Sequence, residues 1–402
     1  MIERRGGQDR PRWAMRRRTG LVMLRSRFFL AVLAVVLLVP SGATALVPLP
    51  PQPAGVPYPT SVWPESRPSP DVDATRLASA LDAAFTTVGR SGVPDTRAFV
   101  VVHRGAIVAE RYAPGFMRDT RFQSWSMAKT VTQALTAVLV RQNRLDVHAR
   151  APVPAWQVGN DPRAAITIDH LLHMTTGLDN ADGGGGPDSY GSKLLFGAGS
   201  RDVFAFATNV PSVHEPGSHW AYSTATSMIL AGIVGRTVGG GRNELAAFMR
   251  AELFDPLGMR SAVPEFDRTG NFLGGAYVWA TARDWARFGL LYLRDGVWDG
   301  RRVLPEGWVD YSRTPAPAPN NGVYGAHLWI NGAPKEGQFE GLPGLPASAF
   351  WMAGNAGQFV VMVPTRDLVI VRLGEMQTAT WKNVGTMIGD VGAAFPTATP
   401  EE

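Results

Sequence analysis

Ser126 and Lys129 lie three residues apart in Gln123-Ser124-Trp125-Ser126-Met127-Ala128-Lys129-Thr130, where an apolar helical pattern begins. At helical spacing the two side chains share a face and can touch. A serine hydroxyl is a weak nucleophile until a neighbour takes its proton. A lysine can do so where burial or nearby positive charge favours its neutral form. Residues 28–402 contain 26 arginines but only four lysines. Arginine keeps its proton in water and cannot act as a base, so a lysine at this spot is informative. A serine in the first turn of a helix also has free backbone N–H groups and the positive end of the helix dipole close by. By itself S-x-x-K arises by chance in roughly a quarter of chains with this composition, so further elements are needed.

Two more sites in the chain add to it. Trp220-Ala221-Tyr222-Ser223-Thr224 follows the turn signal Glu215-Pro216-Gly217 and opens a helical run from Ser227. A tyrosine at a helix mouth can relay protons if cations lower its pKa. Phe350-Trp351-Met352-Ala353-Gly354-Asn355-Ala356-Gly357-Gln358 reads as strand, Gly-rich turn and the start of another strand. A backbone N–H on its edge could help hold an oxyanion. His170 and His173 are three apart but lack an H-e-x-x-H context, and a structural role is expected for them. No G-x-S-x-G elbow occurs, which argues against an α/β-hydrolase. The 12 tryptophans fall mostly in apolar runs and read as core.

The elements that must position these residues follow from periodicity. Asp71-Val72-Asp73 can cap a helix carrying Leu77, Leu81, Phe85 and Val88. Residues 98–103 and 106–112 read as a β-hairpin turning at Arg104-Gly105. The stretch 126–290 is mainly helical, with runs at Val131–Val140, Ser227–Val238 and Asp284–Leu293. Strand-like runs return at Ala326–Ile330, Ser348–Met352, Phe359–Val363 and Leu368–Leu373, and a helix is expected over Trp381–Phe395. Strands at both ends of the chain imply an α/β (α+β) fold: one antiparallel sheet flanked by helices, an inserted helical lobe, and a cleft between them. Gly183–Gly186 reads as a mobile loop.

The formal charge of the 402-residue chain is +5, but it is unevenly placed. Residues 1–27 hold nine arginines against Glu3 and Asp9, which leaves 30 basic and 32 acidic side chains in 28–402. The folded part therefore has no basic excess with which to grip nucleic acid. The absence of cysteine excludes disulfides, thiolate metal sites and a cysteine nucleophile. The arginine-rich start, the apolar run Phe28–Val39 and Ala43-Thr44-Ala45 together read as a secretory signal over 1–45. An uncleaved membrane tether, or a start mis-assigned upstream of Met15 or Met23, is the alternative. Residues 46–70 carry nine prolines and read as an extended linker to a catalytic domain over 71–402. A secreted, periplasmic or cell-envelope location follows.

Taken in order, these elements resemble the serine β-lactamase and penicillin-recognising superfamily. The resemblance is to its class C-related hydrolases, among them carboxylesterases and 6-aminohexanoate-dimer hydrolases. It runs from about Ala98 to about Phe395 and includes Ile168–Leu178, similar to an L-L-x-H/M-T-S-G-L signature, and Ala280–Gly289, similar to A-T-A-R-D-W-A-R-F-G. It implies Ser126 as nucleophile, Lys129 and Tyr222 sharing the base role, and the Ser126 and Gly354 amides as oxyanion hole. Tyr190, Thr224 and Trp351 are its candidate substrate-binding positions. No metal or cofactor is implied, and the partner is a small ester or amide substrate. Thr224 stands where class C enzymes have an asparagine, and Trp351 where they have a lysine that holds the substrate carboxylate. That departure weighs against two alternatives, a DD-peptidase and a β-lactamase proper, unless an arginine such as Arg301 or Arg302 reaches in. A non-catalytic cell-wall ligand sensor is the third alternative. Oligomeric state is not legible.

Overall fold

The computed structural model describes residues 46, 48–90, 92–183, 186–316, 318, 322–331 and 341–397. The expected signal segment 1–45 and Gly184-Gly185 of the glycine tract lie outside them. The strands are β1 (Thr96–His103), β2 (Ala106–Tyr112), β3 (Arg121–Gln123), β4 (Val263–Pro264), β5 (Val278–Thr281), β6 (Val297–Trp298), β7 (Arg301–Arg302), β8 (Trp329–Ile330), β9 (Phe350–Gly354), β10 (Gln358–Val363) and β11 (Leu368–Gly374). The helices are α1 (Ala74–Ala84), α2 (Ala128–Arg141), α3 (Ile168–Leu172), α4 (Tyr190–Phe196), α5 (Val203–Thr208), α6 (Thr224–Thr237), α7 (Arg242–Met249), α8 (Asp255–Leu257), α9 (Ala282–Leu293), α10 (Trp308–Arg313) and α11 (Trp381–Gly392). Among the described residues no helix is long and apolar enough to cross a membrane.

Six strands form one sheet in the order β2-β1-β11-β10-β9-β8, every pair antiparallel. Strands from the two ends of the chain thus meet at the β1–β11 pair, where Val100 faces Val371 and Val102 faces Val369. The β1–β2 hairpin turns at Arg104 and Gly105, both with positive φ, the conformation a two-residue turn between twisted strands requires. Because side chains alternate along a strand, the sheet feeds two cores. Val100, Val102, Met352, Val360, Met362, Val369 and Val371 face the core that holds α2, α6 and α9. Phe99, Val101, Trp351, Phe359, Val361 and Ile370 face the core under α1 and α11. The result is a helix–sheet–helix sandwich with the helical lobe inserted between β2 and β8.

Local signals explain the helix starts. The Asp73 carboxylate accepts from Arg76 N and caps α1. Ser223 caps α6, and Thr380 with Asn383 makes a capping box on α11. A second small sheet, β3-β5-β4, and the ribbon β6-β7 are too short to be read from periodicity. The expected strand over Ala326–Ile330 shrinks to Trp329–Ile330, because His327 has positive φ and breaks it.

The described part of the proline-rich segment contains no helix and no named strand, but it is no free linker over its second half. Trp63 is 4% exposed and packs in the main core, with Tyr58 partly buried against it. Pro59 O accepts from Arg287 Nε (2.7 Å), and Thr60 Oγ1 accepts from Trp298 Nε1 (2.8 Å). Ile107 N donates to Pro64 O and Ser66 N to Ile107 O, which adds a short parallel bridge at the β2 edge. Prolines without N–H groups suit a strap held by its carbonyls. The stretch 58–66 is therefore packed against the residues that follow Asp71.

Candidate active site

The segment that presents Ser126 is anchored on its N-terminal side by β3. Ser124 N donates to Val278 O (2.9 Å), and Val278 N donates to Ser124 Oγ (2.9 Å), so the chain leaves the small sheet along one path. Trp125 then takes φ of +47°, a left-handed conformation uncommon for a bulky residue. Such strain persists only where surrounding structure enforces it, and here it turns Ser126 into the helical turn Trp125–Met127 that leads into α2. The first N–H groups of that run have no acceptor within the helix.

Lys129, one turn on, is 1% exposed. Its Nζ lies 2.9 Å from Ser126 Oγ, 2.9 Å from Thr224 Oγ1 and 2.7 Å from Gly275 O. Burial pushes its pKa down to about 8, against the opposing pull of the Asp182 carboxylate. A measurable fraction of the amine is therefore neutral near pH 7. Tyr222 is stacked on Trp329 (5.6 Å) and edge-on to Tyr324 (5.7 Å), with Lys129 Nζ 4.9 Å from its ring centroid. Burial, with Asp182 adding to it, pushes the phenol well above its ordinary range, while a hydrogen bond with Ser126 pulls the other way. Burial thus favours the protonated phenol at Tyr222. The two shifts favour the lysine over the tyrosine as proton acceptor.

Gly354, at the end of β9, comes directly against the serine-bearing segment. A Cβ on it would sit 2.1 Å from Ser124 O and 3.1 Å from Trp125 Cβ, so only glycine permits the approach. β8 pairs with Phe350 and Trp351 only, so the remainder of that β9 edge lies beside the cleft. The turn after Gly354 is held by fully buried Arg372, whose guanidinium donates to Gly357 O (2.7 Å), Ala356 O (3.2 Å) and Asp95 O (2.6 Å).

Ser126, Tyr222, Thr224 and Gly354 floor a cleft of about 460 Å³. Trp125, Leu195, Phe196, Trp329 and Trp381 give it apolar walls; Ser126, Tyr222, Thr224, Gly275 and Gly354 supply polar groups below. No arginine or lysine is among its described lining residues. Arg301 and Arg302 pair with Glu252 and Asp295, and neither lines the cleft.

Ser126, Lys129, Tyr222, Thr224 and Gly354 are thus brought together; two other candidates are not. Trp351 is fully buried in the core under α1 and α11, so it cannot occupy the substrate-carboxylate position. Ala353 and Gly354, farther along the strand, are the residues that reach the cleft. Tyr190 opens α4 facing away: its hydroxyl donates to Phe206 O (3.2 Å) and its ring packs on Phe206. Ser189, Gly191, Ser192, Leu195 and Phe196 line the cleft from that region instead. His170 and His173 have structural partners: His170 Nδ1 accepts from Thr167 N, and His173 Nδ1 lies 2.9 Å from Asp169 Oδ1. Asp182 is the residue sequence reasoning missed. Its oxygens accept from Thr224 N (2.6 Å) and Thr224 Oγ1 (2.7 Å). No motif spacing links positions 182 and 224, and only a lone carboxylate just before a glycine tract hinted at a role.

The profile described as "Beta-lactamase" matches residues 81–375. The 6-aminohexanoate-dimer hydrolase of Paenarthrobacter ureafaciens is 28% identical over 224 residues, covering 54% of this chain and 56% of that protein. The chain therefore spans little more than half the length of this curated relative. A Bacillus anthracis structure provisionally assigned as a 6-aminohexanoate-dimer hydrolase superposes with a TM-score of 0.65 at 25% identity, covering 83% of this chain and 86% of that one. A family VIII carboxylesterase has the same fold, with a TM-score of 0.60 at 16% identity over 82% of this chain and 99% of its own.

Proposed function

The chain belongs to the beta-lactamase family, and from that premise we propose that it is an exported serine hydrolase cleaving esters or linear amides through an acyl-enzyme on Ser126. The observation that carries this reading is the half-buried Ser126 hydroxyl on the cleft floor, 2.9 Å from the amine of Lys129 buried behind it. As Ser126 Oγ bonds to the substrate carbonyl carbon, its proton passes to Lys129 Nζ. The carbonyl oxygen, now negative, is held by the Ser126 and Gly354 N–H groups. Collapse of the tetrahedral intermediate breaks the bond to the leaving group, which takes the lysine ammonium proton, either directly or from Tyr222 as the ammonium reprotonates that phenol, so Lys129 is left neutral. Water then attacks the acyl-enzyme, giving a proton to Lys129, and Ser126 regains its own as the acid product leaves.

An uncharged carbonyl substrate suits a cleft with apolar walls and no arginine or lysine among its described lining residues. A β-lactam carboxylate placed there would lack a charge-assisted hydrogen bond worth roughly 1.5–3 kcal/mol, about one to two decades in kcat/KM. Steady-state kinetics with p-nitrophenyl butyrate, a linear amide and nitrocefin decide the matter, with Ser126→Ala as control. The ester is expected to exceed nitrocefin in kcat/KM; nitrocefin ahead would restore the β-lactamase reading. For export, the intact mass of secreted protein is expected to begin at Leu46, and a mass that keeps residues 1–45 would make the segment a membrane tether.

A further inference from the structure

Lys129 has three polar neighbours within hydrogen-bond distance, and their chemistry fixes where its protons go. Gly275 O can only accept. Thr224 has one hydroxyl proton, and it goes to Asp182 Oδ2 at 2.7 Å, since a carboxylate can only accept. Toward Lys129, 2.9 Å away, Thr224 therefore presents a lone pair. A neutral amine has two N–H bonds and one lone pair. With the N–H groups committed to Gly275 O and Thr224 Oγ1, the lone pair is left for the Ser126 hydroxyl.

Asp182 is itself fixed. Its Oδ1 accepts from Thr224 N, one of the free N–H groups at the start of α6, and its own N donates to Tyr222 O (3.2 Å). We propose that Asp182 and Thr224 are a positioning pair that aims the Lys129 lone pair at Ser126 and sets how readily the amine gives up its proton. The proposal rests on the serine-hydrolase reading and adds to it the reason a threonine suffices at position 224.

The other groups facing Lys129 leave Asp182 as the charge that matters. Tyr222, before α6, keeps its proton, as does Tyr324 from the loop before β8, whose phenol burial pushes well above its usual range. His327, from the same loop, is held neutral by burial, with its ring nitrogens on Leu172 O (2.8 Å) and Ser227 Oγ (2.7 Å). The carboxylate favours the ammonium, so removing its charge lowers the Lys129 pKa. In Asp182→Asn the amide NH₂ meets Thr224 Oγ1, turns the hydroxyl proton toward Lys129 and competes with Ser126 for the lone pair.

The test uses the full-length protein labelled with ¹³C-lysine. With four lysines in the chain, Lys129 is assigned by its loss in Lys129→Arg. Its titration midpoint is expected at about 8 in the wild type, and lower by about one pH unit or more in Asp182→Asn. The acid limb of kcat/KM for p-nitrophenyl butyrate is expected to move with it. Thr224→Ser, which keeps the hydroxyl, is expected to retain turnover within about threefold, and Thr224→Val to lose at least about tenfold. An unmoved midpoint, or Thr224→Ser falling as far as Thr224→Val, overturns the proposal. The midpoint is read without turnover. A moved midpoint in a protein that a fluorophosphonate fails to label at Ser126 therefore refutes the hydrolase reading and not the pair. An unmoved midpoint in a protein that labels refutes the pair alone.

Discussion

Replacing Lys129 by methionine should change the pH dependence of stability, with a sign fixed by burial. In the unfolded chain a lysine holds its proton up to an ordinary value of 10.5, whereas in the fold burial lowers this to about 8. Below pH 8 both states are protonated, and the full cost of burying the ammonium is present. Between 8 and 10.5 the unfolded state binds more protons than the folded one, so stability rises with pH. Above 10.5 both are neutral and the difference is flat. At 1.36 kcal/mol per pH unit, the interval amounts to roughly 3 kcal/mol. Lys129→Met also leaves Gly275 O and Thr224 Oγ1 without a donor from position 129, a loss that offsets the two proteins but adds no slope in this range. Urea denaturation of both proteins at pH 7, 8, 9 and 10 reads the difference. The wild type is expected to gain on the variant by about 2 kcal/mol or more across that series. A stability difference independent of pH would mean that Lys129 is not desolvated, and the account of it as a base would fail.

Lys129→Arg should lose on the order of 10²–10⁴ in turnover although the charge is kept, because guanidinium cannot accept the serine proton; steady-state hydrolysis of p-nitrophenyl butyrate checks this, and more than about a tenth of wild-type turnover would reduce the lysine to a positive field. Gly354→Ala places a methyl 2.1 Å from Ser124 O, so the β9 edge must shift away from Ser126. A loss of roughly 10²–10³ in kcat is expected if an oxyanion donor moves with it. A chain begun at Asp71 lacks Trp63 and the carbonyls that hold Arg287 and Trp298. It is expected to lose at least about 3 kcal/mol of stability against one begun at Leu46, measured by thermal unfolding.

Much of the arrangement was written in local pattern. The S-x-x-K spacing, the start of α2 and the strands at the two ends of the chain all follow from periodicities of a few residues. What was not legible depends on contacts across many residues. A strand's alternation says that Trp351 and Met352 point to opposite faces, but not which face meets the cleft. Nor does a helix start say which way Tyr190 rotates; Phe206, sixteen residues on, settles it. Proline content marked 46–70 as extended, while Trp63 within it was the sign that the strap is packed. Asp182 acts on position 224 through 42 residues of chain, and no local rule connects them.

An acyl-enzyme on Ser126 requires a nucleophilic hydroxyl there, and a fluorophosphonate probe reads it without a substrate. Peptide mapping of the labelled protein is expected to place one phosphonyl group on the peptide carrying Ser126. Labelling should slow as pH falls below about 8, where Lys129 becomes protonated. A label on another residue, or ester turnover that survives in Ser126→Ala, would contradict an acyl-enzyme on Ser126.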